Sequence, residues 1–235
     1  METNSRPYVI CHMVTSIDGK VTGQFLSSDA AKAAEEEYYR INRKLKGEAF
    51  ACGRITMEGS FTGGYRPDLS AFEGAELPEG DFIARQHGYY AVSFDRKALV
   101  GWTDSLIHDE DEGYDDCHII EVLTEEAPKA ALAYYRSIGV SYIFAGEHDI
   151  DICAALRKLR ELFGIRTLLL EGGSIINGAF ARAGAVDELS LVAAPVIADA
   201  DSKPLFYDCG MSRFDLELAE PLPGGAVWLR YKAQD

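Results

Sequence analysis

Leu168-Leu169-Leu170-Glu171-Gly172-Gly173-Ser174-Ile175-Ile176-Asn177-Gly178-Ala179-Phe180 is the stretch whose reading decides the fold. An unbroken apolar run is what a strand buried on both faces requires. Here it ends in a carboxylate and two glycines, and a helix opens directly behind them. Glycine leaves no Cβ in the way of a ligand and accepts backbone angles that other residues avoid. The first amides of the helix lack intrahelical partners and carry the positive end of its dipole, so the corner is a seat for a phosphate. The same corner also occurs as a plain tight turn. A second corner of this kind, Ala49-Phe50-Ala51-Cys52 running into Gly53-Arg54-Ile55-Thr56, lies far upstream. It adds a guanidinium and a hydroxyl, although a glycine turn, a surface arginine and a helix cap would look the same.

Outward from these corners, strand and helix alternate. Tyr8 to Val14 reads as a strand ending at Thr15-Ser16-Ile17-Asp18-Gly19-Lys20. From Asp29 to Lys46, apolar residues at Ala30, Ala34, Tyr38, Ile41 and Leu45 mark one helical face, with Ser28 as cap and Gly47 as stop. Ile55 to Ser60 is a short helix. Strands are expected over Tyr89 to Phe94, His118 to Thr124 and Ser141 to Ala145, and helices over Ala130 to Ile138 and Ile152 to Phe163. Behind the Glu-Gly-Gly corner, Ile175 to Ala183 is helical, and Asp187 to Ile197, Phe214 to Ala219 and Gly225 to Lys232 are strands. The Pro- and Gly-rich turn at 220–225 makes the last two an antiparallel hairpin. The pattern is that of an α/β protein: a mainly parallel sheet with helices on both faces, three layers in all. With no repeat or linker to divide it, the chain 1–235 reads as one domain, with long loops at 62–87 and 101–116.

Composition bounds the function. Of the 235 residues, 47% are hydrophobic and 26% charged, as in a soluble globular protein. A net charge of −15 repels nucleic acid and anionic membrane, so an anionic ligand must be met by local clusters of basic residues. Neither a signal peptide nor a membrane-spanning run is read from the sequence. Five scattered cysteines with no C-x-x-C pair suit free thiols in a reducing cytoplasm, and the five scattered histidines have no metal-ligand spacing. No metal is expected. The fingerprint G-x-G-x-x-G is absent, which excludes an ordinary dinucleotide fold. A helix terminus contributes roughly 0.3–2 kcal/mol toward an anion, and micromolar affinity needs about 8 kcal/mol. Two anion seats and further side-chain contacts are therefore expected for a dinucleotide with several phosphates.

Four motifs in this order resemble the reductase domain of bacterial riboflavin biosynthesis, within the dihydrofolate-reductase-like superfamily. They are Val14-Thr15-Ser16-Ile17-Asp18-Gly19-Lys20, Gly53-Arg54-Ile55-Thr56, Glu171-Gly172-Gly173-Ser174, and Gly184-Ala185-Val186-Asp187-Glu188-Leu189 leading into Ala194-Pro195-Val196-Ile197. The zinc-binding deaminase half found in the bifunctional members is missing, so the chain resembles a stand-alone reductase. The resemblance implies hydride transfer from NADPH to C1′ of a ribosylaminopyrimidine phosphate by a cytoplasmic homodimer. It implies that Gly172, Gly173, Ser174, Ile175 and Ile176 hold the cofactor pyrophosphate, flanked by Gly53, Arg54 and Thr56. Ser93 matches a position meeting the adenosine ribose, with Arg96 adding the charge that favours NADPH; a plain strand-end hydroxyl is the other reading of Ser93. Glu171 and Asp18 are the carboxylates placed for substrate binding and proton delivery. Asp18 reads equally as a turn residue, and Glu171 as a partner of a helix-end amide. Lys44 and Arg66 are the candidates for the substrate phosphate, although Lys44 at a helix end also simply offsets the dipole. The family's usual Asn- or Asp-Pro pair is absent from Met57 to Pro67, where substrate is read. Two other readings remain open: a reductase of another heterocyclic or carbonyl compound, and a non-catalytic nucleotide-binding protein.

Overall fold

Alternating apolar strands and amphipathic helices bury their faces only against one another, and the computed structural model shows how they do so over residues 5–234. In chain order the elements are β1 (Tyr8–Ser16), α1 (Asp29–Leu45), β2 (Ala49–Gly53), α2 (Arg54–Met57), β3 (Tyr90–Phe94), β4 (Leu106–Ile107) and β5 (Cys117–Leu123). There follow α3 (Lys129–Ile138), β6 (Ser141–Phe144), α4 (Ile152–Phe163), β7 (Thr167–Leu170), α5 (Ser174–Arg182), β8 (Glu188–Ala194), β9 (Phe214–Pro221) and β10 (Val227–Ala233). They group into two compact units, one of residues 5–7 with Glu48–Arg166, the other of Tyr8–Gly47 with the chain from Thr167 onward.

In the first unit β2, β3, β5 and β6 run parallel, in that order. Every residue of β3 and β5 is buried, as parallel strands covered on both faces must be. The far edge of β5 is shared: β6 pairs with Ile120–Leu123, while the two residues of β4 pair antiparallel with Cys117 and His118. A two-residue strand carries no periodicity, so β4 is not readable from the sequence. The long segment 62–87 is anchored, with Phe82 exchanging backbone hydrogen bonds with Tyr142 at 2.8 and 2.9 Å. Asp81 holds Lys158 at 2.9 Å in the same region.

In the second unit the order is β7-β1-β8-β10-β9, the first three parallel and the last two pairings antiparallel. The closing hairpin is as expected. Helix α1 lays Ala31, Ala34, Tyr38 and Ile41 on Val192, Ala194 and Trp228. Burying a side chain the size of Ile41 contributes about 1.5–3 kcal/mol. His12 is buried in this core, stacked on Tyr38 with ring centroids 4.2 Å apart. Its Nδ1 lies 3.0 Å from Ser190 Oγ and its Nε2 3.1 Å from Tyr38 O. Ser28 caps α1 through Ala31 N, as expected. The helix ends one residue earlier than predicted, at Leu45, and Lys46 with φ 52° is the left-handed cap in place of Gly47.

Candidate functional site

Strand β7 ends by delivering Glu171, and burial leaves this carboxylate 8% exposed. Its Oε1 accepts from Asn42 Nδ2 at 2.5 Å, so a residue of α1 fixes its orientation. Asn42 is itself 5% exposed, a polar side chain on the buried side of an amphipathic helix. Such a group must find a partner, and that was its only signal in the sequence. One strand over, the Cys11 thiol is pushed well up, first by burial and then by the Glu171 charge, and so stays protonated.

The chain then turns at Gly172, whose φ of +96° is glycine territory, through a cis peptide to Gly173. A Cβ on Gly172 would lie 3.0 Å from the Met13 methyl. Helix α5 begins at Ser174, and its first internal bond runs from Asn177 N to Gly173 O at 3.0 Å. Among the described residues, the amides of Ser174, Ile175 and Ile176 meet no acceptor. Asn177 Oδ1, fully buried in the same turn, has no donor. Segment 204–207 straps the other side of this turn. Ser174 Oγ donates to Pro204 O at 2.6 Å, Asn177 Nδ2 to Leu205 O at 3.1 Å, and Tyr207 N to Ser174 O at 3.0 Å. Ser174 therefore offers a ligand its amide, while its hydroxyl is engaged in holding the strap.

Asp18 sits in the turn after β1, where its Oδ1 accepts from Ser16 Oγ at 2.7 Å and from Ala198 N at 3.0 Å. The Ala198 amide, and after it the Ser16 hydroxyl, hold its pKa below the usual carboxylate value. It is thus an ionised acceptor near neutrality, and it anchors the turn as the alternative reading had it. Lys44 is exposed on the last turn of α1, two residues beyond Asn42.

In the first unit, Gly53 precedes α2 with φ −77° and ψ 159°, angles open to any residue. Arg54 turns its Nη1 onto both carboxylate oxygens of Glu58, at 2.9 Å each. Arg66 approaches the same group, Nη2 to Oε1, at 2.8 Å. Glu58 was not singled out from the sequence, although its spacing of four from Arg54 on a helix was a signal. Thr56 is half-buried on α2. Ser93 is fully buried in β3, so its side chain faces the sheet core. Arg96 is exposed and paired with Asp149. Also in this unit, a cavity of about 240 Å³ lies between Phe61, Trp102 and Ile107, and none of the candidate residues lines it.

Among the described residues no group of His, Cys, Asp and Glu is arranged to hold a metal ion. No helix there is long and apolar enough to cross a membrane.

Residues 114–228 match the family model described as the RibD C-terminal domain. The chain is similar to the 2,5-diamino-6-ribosylamino-4(3H)-pyrimidinone 5′-phosphate reductase of Aquifex aeolicus, 27% identical over 205 residues that cover 85% of this chain and 81% of the relative. The Methanothermobacter thermautotrophicus protein of the same name is 28% identical over 192 residues, 82% of this chain and 79% of that one. Among solved structures, a pyrimidine reductase-like protein from Corynebacterium diphtheriae matches with a TM-score of 0.70 at 20% identity, covering 97% of this chain and 92% of that one. The riboflavin biosynthesis reductase Rib7 of Saccharomyces cerevisiae matches with a TM-score of 0.66 at 14% identity, covering 100% and 93%. The fold is theirs, and the resemblance carried by the four motifs is borne out.

Proposed function

Taking the chain as a relative of the riboflavin-biosynthesis reductases, we propose that it is an oxidoreductase that reduces a ribosylaminopyrimidine 5′-phosphate with NADPH. The observation that carries this reading is the end of β7. A buried carboxylate oriented by Asn42 stands directly before a glycine corner and three helix amides without acceptors. Those amides and the orphaned Asn177 Oδ1 fit a polar, anionic ligand such as a pyrophosphate. In this reading Gly172, Gly173 and the amides of Ser174, Ile175 and Ile176 hold the pyrophosphate, with Gly53, Arg54, Thr56 and Arg96 as further candidate phosphate contacts. Ser93, enclosed in the sheet, is not assigned a ligand contact.

When bound, NADPH supplies a hydride. The acceptor is C1′ of the opened sugar in its imine form, so the imine nitrogen must gain one proton as C1′ gains the hydride. Glu171, oriented before hydride arrives, accepts a hydrogen bond from the aminopyrimidine edge and holds the imine in place. Asp18, kept ionised by its two donors, acts as an acceptor that orients a water, and that water gives the imine nitrogen its proton and leaves as hydroxide. Lys44 and Arg66 are the proposed partners of the substrate phosphate.

The pyrimidine ring has two candidates, because the similar curated reductases carry the 2,5-diamino-6-ribosylamino-4(3H)-pyrimidinone name and a structural neighbour the 5-amino-6-(5-phosphoribosylamino)uracil name. Both rings belong in the assay. The reading predicts NADPH fluorescence changes on binding and NADPH oxidation with one of the two ribosylaminopyrimidine phosphates. Glu171→Gln should abolish turnover while leaving NADPH binding intact. NADPH binding without turnover on either ring would move the reading to a different heterocyclic or carbonyl substrate. No binding at all would favour a protein that has lost the chemistry. A homodimer in the cytoplasm is the proposed state, checked by light scattering and by fractionation.

A further inference from the structure

One histidine of β1 ties the helix that carries Asn42 to the sheet. His12 has no exposed surface, and burial draws its pKa down to about 4, so the ring is neutral near pH 7 and only one nitrogen carries a hydrogen. The surrounding bonds select which. Ser190 Oγ accepts the indole N–H of Trp228 at 2.9 Å, which leaves its own proton for His12 Nδ1 at 3.0 Å. Nε2 then holds the ring hydrogen and donates it to Tyr38 O at 3.1 Å. The other tautomer would set a lone pair of Nε2 against that carbonyl, acceptor facing acceptor. A directed run of hydrogen bonds thus crosses from β10 through β8 and β1 to the backbone of α1.

The carbonyl that receives the last bond has a particular place. An α-helix pairs each amide with the carbonyl four residues earlier, so in α1 Tyr38 O is the acceptor of the Asn42 amide. A carbonyl has a second lone pair, and His12 takes it. In the same turn, Asn42 Nδ2 donates to Glu171 Oε1 at 2.5 Å. Elsewhere α1 meets the sheet through apolar side chains, Ala31, Ala34 and Ile41 against Val192, Ala194 and Trp228. The His12 ring also stacks on the Tyr38 ring, with planes 5° apart. Apolar contact has no preferred direction, whereas a hydrogen bond weakens steeply once its geometry is lost.

We propose that His12 is a positioning residue for Glu171: through Tyr38 O it fixes the turn of α1 from which Asn42 holds that carboxylate. This rests on the proposed reductase reading only for the effect on turnover, where a carboxylate held at the wrong angle misplaces the imine. Two amides tell the ring nitrogens apart. Glutamine brings its side-chain nitrogen close to where Nε2 stood, and asparagine close to Nδ1, so His12→Gln keeps a donor for Tyr38 O and His12→Asn does not. His12→Phe keeps the stack on Tyr38 and removes both nitrogens. The expected result is a kcat about tenfold lower in His12→Asn and His12→Phe and within about twofold of the parent in His12→Gln, with coenzyme Kd unchanged in all three. In an Asn42→Ala background, His12→Phe should lower kcat no further, although its loss of stability in urea persists.

Two further measurements need no turnover. Nitrogen NMR of the parent protein should find the His12 hydrogen on Nε2, whatever the variants do to folding. The Asn42 side-chain amide signal, displaced by its bond to Glu171, should return toward that of a free amide in His12→Asn and His12→Phe and stay in place in His12→Gln. A hydrogen on Nδ1 in the parent overturns the proposal. So does parental kcat with a parental Asn42 signal in His12→Phe or His12→Asn, or a kcat loss that multiplies in full with that of Asn42→Ala. A histidine that only stabilises the core would lower the urea midpoint and leave kcat and the Asn42 signal where they were. Failure of the reductase reading would instead show as a parent protein without NADPH oxidation whose Asn42 signal still responds to His12.

Discussion

Glu121 lies in β5 with no exposed surface, its Oε1 taking the indole N–H of Trp102 and its Oε2 without a partner. Beside it on the ladder is Ser93, whose hydroxyl is also buried and unpartnered. Burial first, and then the neighbouring Asp95 charge, push the Glu121 pKa well above its ordinary 4.5, against the opposing pull of Trp102. Folded protein therefore keeps this proton at pH values where the unfolded chain releases it. Stability is full below the unfolded pKa and is lost as pH rises toward the folded one, by about 1.4 kcal/mol per pH unit. Glutamine reproduces the neutral acid: its oxygen accepts from Trp102 and its amide can donate to Ser93. Glu121→Gln should match the parent within about 1 kcal/mol near pH 5 and become progressively more stable than it as pH rises, with the linkage slope above. Glu121→Leu strands the Trp102 N–H and should cost about 1–3 kcal/mol relative to Gln at every pH. Against a total of about 5–15 kcal/mol, both effects are large. Urea unfolding of the three proteins between pH 5 and pH 8 measures them, provided the slopes m agree. A Gln-minus-parent difference that does not change with pH, or a leucine variant as stable as the glutamine one, refutes a protonated Glu121.

Other outcomes follow from the same packing. Gly178→Ala puts a Cβ 1.8 Å from Tyr207 O, so the strap must detach, and thermal unfolding should register a loss of about 2–4 kcal/mol; an unchanged midpoint contradicts the close approach. Ser174→Ala removes only the bond to Pro204 O, costing about 1 kcal/mol of stability and leaving NADPH affinity unaltered, whereas a large affinity loss would show that the hydroxyl meets the cofactor. Asn42→Ala removes one hydrogen bond that orients the Glu171 carboxylate and should lower kcat about tenfold or more with little change in coenzyme Kd, a split that steady-state kinetics resolves. His12 and His118, both drawn down to about 4 chiefly by burial, should titrate near pH 4 by NMR. Each keeps the folded protein from binding a proton between pH 6.5 and about 4, so stability falls as pH drops through that window. Titration of either near 6.5 would show that it is not enclosed as described.

What could be read in advance divides along the range of the interactions. Helix α4 was delimited to the residue because Ile152, Leu156 and Leu159 repeat on one face and Gly164 closes the end with φ 72°. Ser28 and the hairpin at 220–225 were equally local, and both appear as expected. The end of α1 was placed one residue late because Lys46 itself takes the left-handed angle that glycine was expected to supply. Candidate residues were legible as types at strand ends, but their partners were not. In the sequence Asn42 is one residue of a helix face and Glu58 one residue of a divergent loop, and Ser93 reads either as a ribose contact or as a plain strand-end hydroxyl, with its burial in the sheet visible only in the structure.

By itself the chain order of apolar runs, glycines and caps determined an α/β protein with a glycine corner opening a helix after β7 and a closing antiparallel hairpin, since periodicity and turn chemistry act over a few residues. Only the tertiary structure decided that Glu171 is held from 129 positions away by Asn42, that the Ser174 hydroxyl belongs to a strap, and that Arg54 and Arg66 converge on one acid. Hydrogen bonds and ion pairs depend on where folded backbones bring side chains together, and no local pattern encodes that distance.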